Sequence, residues 1–418
     1  MGGGYVGLVT AACFAELGHN VTIIEIDGCK VETINSGTAP IYEKGLNELL
    51  SKHAGRNLNA VNSYEVVADS DLSFICVGTP PGPEGDADLT MIVSASRSIG
   101  RNLRDRERNH VVVVKSTVPP STTEELVMPT VLKEIGDRSS EIGFAMNPEF
   151  LREGVAVHDF MHPDRIVIGS SEDEAGNLVE SAYSGISSPV HRVGIKAAEM
   201  IKYASNAMLA TKISFSNEIG NICKSLGIDV YEVMRGVGMD HRISPHFLNA
   251  GVGFGGSCLP KDVSALIRLA ESLGEGPILL KSVIEINERQ PHRLVELLDK
   301  KLGGLRGREI AVLGLAFKND TDDVRDSRAI DVILDLKTRG AQVRAYDPLA
   351  NSNMQGVVFD VKYCRSAAEA LKDADACLIM TEWPEFVGLE KEFDLMKSRV
   401  IFEGRRILSC DGVEGICW

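Results

Sequence analysis

The sequence predicts an α/β protein, with two Rossmann-like doubly wound domains joined by a central region of long helices. Three observations carry that prediction. A G-x-G-x-x-G at Gly2, Gly4 and Gly7 runs into a helical pattern that ends near Gly18, and an apolar run at 21–26 containing Glu25 follows. Residues 196–227 hold one helical periodicity through Met200, Ala204, Met208, Ile213, Ile219 and Ile222, long enough to connect domains. The last third echoes the first: 18–27 (G-H-N-V-T-I-I-E-I-D) resembles 340–347 (G-A-Q-V-R-A-Y-D), and 69–80 resembles 373–384, each an acidic turn, an apolar strand and a threonine near the end. At 418 residues the chain exceeds one ordinary core, and the expected division is 1–192, 193–300 and 301–418.

Composition narrows the class. Hydrophobic residues at 44% and charged residues at 25% are ordinary for a soluble globular protein. A net charge of −15 argues against nucleic-acid binding, which needs a basic surface. The nine cysteines are scattered without a C-x-x-C pair, so neither a disulfide framework nor a metal site is expected, and a reducing cytoplasm fits. No apolar run approaches the roughly 20 residues of a membrane span. The N-terminus lacks a basic leader and Glu16 interrupts it, which argues against a signal peptide.

The opening motif has the parts of a dinucleotide site. Its glycines allow a tight turn and close approach of a pyrophosphate, which the helix N-terminus attracts. Glu25, 18 residues past Gly7, is placed to bind ribose hydroxyls, and a carboxylate there favours NAD by repelling the 2′-phosphate of NADP. Lys30 either reaches the phosphates or ribose, or is solvated. Such a motif normally follows a strand, yet only Met1 precedes it. The first, central strand of the N-terminal sheet is therefore expected to be missing, leaving its two neighbours with unpaired backbone groups. About five to seven apolar residues upstream in the reading frame would supply it.

Three further apolar runs end in polar residues. Residues 72–77 lead to Thr79, 110–115 to Thr117, and 144–147 into P-E-F-L-R-E-G. Ligands bind at such carboxyl ends of parallel strands, although a threonine there is as readily a cap or turn hydroxyl. Glu149 and Glu153 are four apart and share a face if that segment is helical, which like charges resist unless used. Lys202 and Asn206, also four apart, could stabilise an oxyanion, or else line an exposed helix face.

The stretch 251–262 reads G-V-G-F-G-G-S-C-L-P-K-D. Glycines bring backbone close to a ligand, and Cys258 lies among N–H donors, Lys261 and Asp262, which favours a nucleophilic thiol over a merely structural one. Helices should cover 263–302, with Pro277 and Pro291 marking turns. The third region keeps Gly314 but has Ala316 and Asn319 where the other glycines would stand. It offers Lys318 and Arg325 instead, pointing to a phosphorylated ligand, though Arg325 among Asp322, Asp323 and Asp326 also reads as surface charge. NAD with a nucleophilic thiol implies aldehyde oxidation. A thiolate adds to give a thiohemiacetal, hydride loss gives a thioester, and water releases an acid. Lys202 and Asn206 are then oxyanion donors, and Glu149, Glu153 and Asp262 are bases for water.

The motifs G-G-G-Y-V-G-L, V-G-T-P, K-S-T-V-P-P-S-T, N-P-E-F-L-R-E-G, G-F-G-G-S-C-L-P-K-D and F-K-N-D-T-D-D-V-R-D-S together resemble the UDP-glucose/GDP-mannose dehydrogenase family over nearly the whole chain. The resemblance implies two successive NAD-dependent oxidations of a sugar C6 alcohol to a carboxylate. It implies Cys258 as nucleophile, Lys202 and Asn206 around the C6 oxygen, and Thr117, Glu149, Glu153 and Asp262 around the water. It places Gly2, Gly4, Tyr5, Val6, Gly7, Glu25, Lys30, Thr79, Thr117, Glu153 and Lys261 at NAD. On the UDP-sugar it places Glu149, Phe150, Leu151, Lys202, Asn206, Phe247, Gly251, Phe254, Gly255, Phe317, Lys318 and Arg325, with Arg242 acting across a homodimer interface formed by the central region. The runs at 159–169 and 381–386 look like the UDP-glucose branch. The alternatives are a GDP-mannose or UDP-HexNAc enzyme, a truncated inactive relative that only binds nucleotide sugar, a single-step dehydrogenase with a structural Cys258, and a nucleotide-sensing binding protein.

Overall fold

The computed structural model describes residues 1–104, 109–136 and 142–418. They form two compact units, Met1–Ser205 and Asn206–Trp418. The strands of the first unit are β1 (Val21–Ile24), β2 (Leu58–Val61), β3 (Leu72–Ile75), β4 (His110–Val114), β5 (Ile142–Met146), β6 (Ile166–Ser170) and β7 (Val190–Val193). Its helices are α1 (Tyr5–Glu16), α2 (Gly28–Asn35), α3 (Leu46–His53), α4 (Thr90–Leu103), α5 (Met128–Ile135), α6 (Ala156–Met161) and α7 (Asp173–Ala182).

β4 shows why an inner strand of this sheet reads as an apolar run. All five of its residues are buried. Val111 and Val113 pack into the core with Leu8 and Ala12 of α1 and Val179 of α7. Val112 and Val114 face the opposite core, with Ile92 and Ile99 of α4 and Val131 of α5. A strand covered by helices on both faces has no polar side to alternate with, and each valine it buries contributes about 1.5–3 kcal/mol. β3, β4 and β5 run parallel, so their carboxyl ends open on one edge, while β6 joins β5 antiparallel.

β1 and β2 form a separate two-stranded sheet. Between β1 and β3 lies the backbone of Met1 and Gly2. The Gly2 N–H donates to the Ile24 carbonyl (2.9 Å) and the Cys76 N–H to that of Met1 (2.9 Å). The Met1 amino group donates to the Phe74 carbonyl (2.7 Å). The second unit repeats this pattern on a whole strand. Its sheet of β8 (Glu309–Leu313), β9 (Gln342–Tyr346), β10 (Lys362–Tyr363), β11 (Ala376–Ile379), β12 (Ile401–Glu403) and β13 (Val413–Gly415) is parallel in the order β10-β9-β8-β11-β12-β13. There the Gly314 N–H donates to the Tyr346 carbonyl and the Met380 N–H to that of Leu313, both at 2.8 Å. Met1 and Gly2 thus hold in the first unit the register that Leu313 and Gly314 hold in the second.

The long helix α8 (Ile195–Leu226) carries the chain from one unit into the other. α9 (Val230–Gly238), α10 (Leu259–Ser272), α11 (Ile278–Leu302) and α12 (Arg328–Thr338) follow. Two local expectations are corrected. Pro277 caps the start of α11 as a turn should, but Pro291 lies inside it. The segment 147–154 is not helical, so Glu149 and Glu153 share no helix face. No helix among the described residues is long and apolar enough to cross a membrane.

Candidate functional site

The fingerprint starts α1 without a side-chain cap or an acidic first turn, with Gly4 before it. Its leading N–H groups therefore present the positive end of a 12-residue helix. Gly7 is required by packing, because a Cβ there would lie 1.9 Å from the Gly2 carbonyl oxygen. Glu25 is buried. Its Oε2 accepts the Gly3 N–H (2.7 Å) and its Oε1 the Asp27 N–H (3.0 Å). A carboxylate has about four acceptor positions, so it keeps capacity for two ribose hydroxyls. Uncapped helix, crowded glycines and a fixed acid together fit NAD. Lys30 lies in the first turn of α2, where the Asp27 carboxylate caps the helix by accepting the Cys29 and Lys30 N–H groups.

The ends of β3 and β4 are tied together, as the Thr79 hydroxyl donates to the Thr117 carbonyl (2.8 Å) and the Ser116 hydroxyl to that of Val77 (2.6 Å). Thr79 is thus a clamp that sets where Thr117 stands. Beyond β5, Glu149 accepts the Leu151 N–H (2.6 Å) and forms a buried ion pair with Lys202 (2.9 Å). Burial alone would raise the Glu149 carboxyl, but the Lys202 ammonium and the hydrogen bonds outweigh it and hold the carboxyl below its usual range. The Phe150 ring lies under two cations, 4.0 Å from the Arg165 guanidinium and 5.4 Å from the Lys202 ammonium. Glu153 is half-buried.

In the second unit Cys258 is exposed and immediately precedes α10. A thiolate there faces the positive end of a helix. One turn on, the Asp262 N–H donates to the Cys258 carbonyl (2.9 Å). The Asp262 carboxylate, 1% exposed, accepts from Asn206 Nδ2 and from Lys261 Nζ, each at 2.6 Å. Asn206, Lys261, Asp262 and Cys258 are therefore brought together. Lys261, expected at the cofactor, is held on Asp262.

The predicted substrate residues are placed as follows. Phe254 is buried among Ala207, Ala210, Val263 and Val283, so its ring serves the core rather than offering a contact surface. Phe247 is partly exposed at φ +64°, a rare conformation for an aromatic residue, and so marks a constrained turn. The Phe317 ring covers Gly256, and Lys318 Nζ stands 5.8 Å from the centre of that ring. Arg325 and Arg242 are largely exposed, each forking onto a nearby carboxylate, Asp323 and Asp240 respectively. No group of three His, Cys, Asp or Glu side chains among the described residues could hold a metal ion.

Several positioning residues have no signal in the sequence. Glu43 accepts the N–H groups of Gly154 (2.7 Å) and Ala156 (2.8 Å) and the Tyr5 hydroxyl, tying the 147–154 segment to the fingerprint helix. Glu199, fully buried, accepts the N–H groups of Ser121 (2.7 Å) and Thr123 (2.8 Å) and so fixes the loop after β4. Burial pushes its carboxyl up despite these bonds. Lys115, nearly closed off from solvent, is held by Asn147 and Tyr183 at 3.0 Å each. These side chains bond to distant atoms, which no local spacing encodes.

Comparison with known proteins adds an independent line. Models of the UDP-glucose/GDP-mannose dehydrogenase family match in three parts, the NAD binding domain at residues 1–187, the central domain at 196–289 and the UDP binding domain at 311–410. The chain is 46% identical over 415 residues to the UDP-glucose 6-dehydrogenase AglM of Haloferax volcanii, covering 98% of this chain and 96% of that protein. A UDP-glucose dehydrogenase structure from Pyrobaculum islandicum superposes with a TM-score of 0.94 at 44% identity, over 99% of this chain and 96% of that one. A UDP-D-ManNAc dehydrogenase structure from Pyrococcus horikoshii gives 0.87 at 29% identity, over 99% and 97%.

Proposed function

Because the chain belongs to the UDP-glucose/GDP-mannose dehydrogenase family, we propose that it oxidises the C6 alcohol of UDP-glucose to the carboxylate of UDP-glucuronate in two steps. The observation that carries the reading is the placement of Cys258 before α10, one turn ahead of an Asp262 that Asn206 and Lys261 hold. UDP-glucose is favoured over other sugars because curated relatives 39–46% identical bear that name. NAD would be held by the fingerprint glycines and Glu25 and would supply the hydride acceptor for each step.

The roles we assign follow from the chemistry of each group. After the first oxidation the C6 aldehyde needs an added nucleophile before a second hydride can leave, and the Cys258 thiolate supplies it. Asn206 and Lys202 donate hydrogen bonds to the oxyanion so formed. Asp262 keeps the Asn206 amide oriented. After the second oxidation a water, placed by Thr117, adds to the thioester and the C–S bond breaks. Glu153 takes the proton from that water, because Glu149, tied to Lys202, is a weak proton acceptor. Lys318 and Arg325 serve the diphosphate. Segments 1–192, 193–300 and 301–418 would divide cofactor binding, catalysis with dimerisation, and UDP binding, in the cytoplasm.

NADH yield tests this. Two equivalents per UDP-glucose are expected, with little from GDP-mannose or UDP-HexNAc. Cys258→Ser should stop acid formation. Full acid from that variant would overturn the nucleophile assignment.

A further inference from the structure

The loop 251–258 carries the nucleophile but lies in no strand or helix. Its glycines give the unfolded chain much freedom, so something must hold it. Buried side-chain amides do much of that. The Gly251 N–H donates to Asn217 Oδ1 (2.7 Å), and its carbonyl accepts from Gln290 Nε2 (2.8 Å). Asn287 does more. Its Oδ1 accepts the Phe254 N–H (2.7 Å) and its Nδ2 donates to the Phe254 carbonyl (2.9 Å), pairing with one residue as a neighbouring strand would. Asn287 is 3% exposed, so neither bond competes with water.

Two sequence features make room for this clamp. Gly253 has φ +102°, and a Cβ there would lie 2.6 Å from Asn287 Oδ1. Pro291, inside α11, lacks the N–H that would otherwise bond the carbonyl of Asn287, four residues earlier. Gly253 approaches that same carbonyl, at 3.2 Å from its ideal Cβ position. The helix-breaking residue and a crowded glycine of the loop thus meet at one residue, Asn287. Phe254, locked by both backbone groups and by its ring in the core, is four residues before Cys258.

We propose that Asn287 is a positioning residue for Cys258. Its carboxamide sets the loop so that Sγ captures the C6 aldehyde before it escapes. Capture forms the S–C6 bond as the C=O π bond opens, the proton given up by the thiol ends on the C6 oxygen, and the resulting thiohemiacetal is what the second oxidation consumes. This rests on Cys258 being the nucleophile. It predicts a defect of one kind: the first oxidation proceeds while the aldehyde leaks.

The test follows UDP-glucose turnover with semicarbazide as the aldehyde trap, counting NADH, acid and trapped aldehyde. For Asn287→Ala, trapped aldehyde per NADH should rise at least tenfold, with the first-step rate changed less than threefold. Asn287→Asp adds a pH readout. Its ionised carboxylate accepts from Phe254 but cannot donate, whereas the protonated acid does both. Aldehyde escape from that variant should therefore fall as pH drops from 8 to 6. Thermal melting shows which variants are folded, and the isosteric Asp variant serves if Ala is not. Folded variants that partition aldehyde as the parent does would overturn the proposal. Cys258→Ser in parallel separates the premise, since acid formation by it refutes the nucleophile whatever the Asn287 variants do.

Discussion

Glu149 and Lys202 are both nearly closed off from solvent, and each is tolerable there because of the other. Removing one partner of such a pair typically costs about 3–5 kcal/mol. The sign of its pH dependence follows from the lowered Glu149 carboxyl. Its contribution is present above the ordinary unfolded value near about 4.3 and is lost as pH falls through the lower folded value. In Lys202→Met, burial becomes the leading influence and raises that carboxyl instead. The folded variant then binds a proton more tightly than the unfolded chain and gains stability as pH falls. The melting-temperature gap between parent and variant should be widest near pH 7 and narrow towards pH 4.5. Thermal unfolding across that range checks this, and a gap that stays constant would show that the carboxylate is not the variant's burden.

Between one side chain and the next element, the loop after β4 depends on Glu199. Its carboxylate takes two backbone N–H groups, at Ser121 and Thr123, and Ser121 has a positive φ of 80°. An amide in its place offers one acceptor and turns an NH2 towards the other N–H. Glu199→Gln should therefore cost about 1–3 kcal/mol, the range for an unsatisfied buried donor. Hydrogen exchange should show lost protection at 121–123, and unchanged protection there would remove Glu199 from this role. The same scale explains what the sequence made legible. β3, β4 and β5 were readable because they are mostly apolar, and β4, buried on both faces, carries four valines in a row. β2 (L-N-A-V) and β7 (V-H-R-V) were not, since each mixes polar residues into a short outer strand. Pro291 misled because a lost helix bond normally ends a helix, and here the freed carbonyl lies against Gly253. The reacting groups stood out because glycines and a cysteine cluster locally. Glu43, Glu199 and Asn287 did not, because they act on backbone 111, 76–78 and 33 residues away.

The second unit leaves apolar side chains on α8 facing solvent at a fixed interval. Met208, Phe215 and Ile222 are 60%, 47% and 53% exposed, and they recur every seven residues. On a helix that spacing returns to nearly the same face after two turns, as along a coiled-coil seam. A regular stripe on one helix is what a twofold-related copy can match with its own identical stripe. This is the surface that the homodimer expected through the central segment would use, and such a dimer would give Arg242, forked onto Asp240 at an exposed turn, a second chain to reach. Phe215→Lys puts a charge at the middle of the stripe without touching Cys258, Asp262 or the amides that hold the loop. Light scattering after gel filtration should show the parent at twice the chain mass of 45.3 kDa and the variant at that mass, with NAD binding retained. If Arg242 completes the neighbouring chain's site, the monomeric variant should lose turnover to the same extent as Arg242→Ala in the dimer. A variant that remains dimeric would move the interface off α8, and a fully active monomer would confine Arg242 to its own chain.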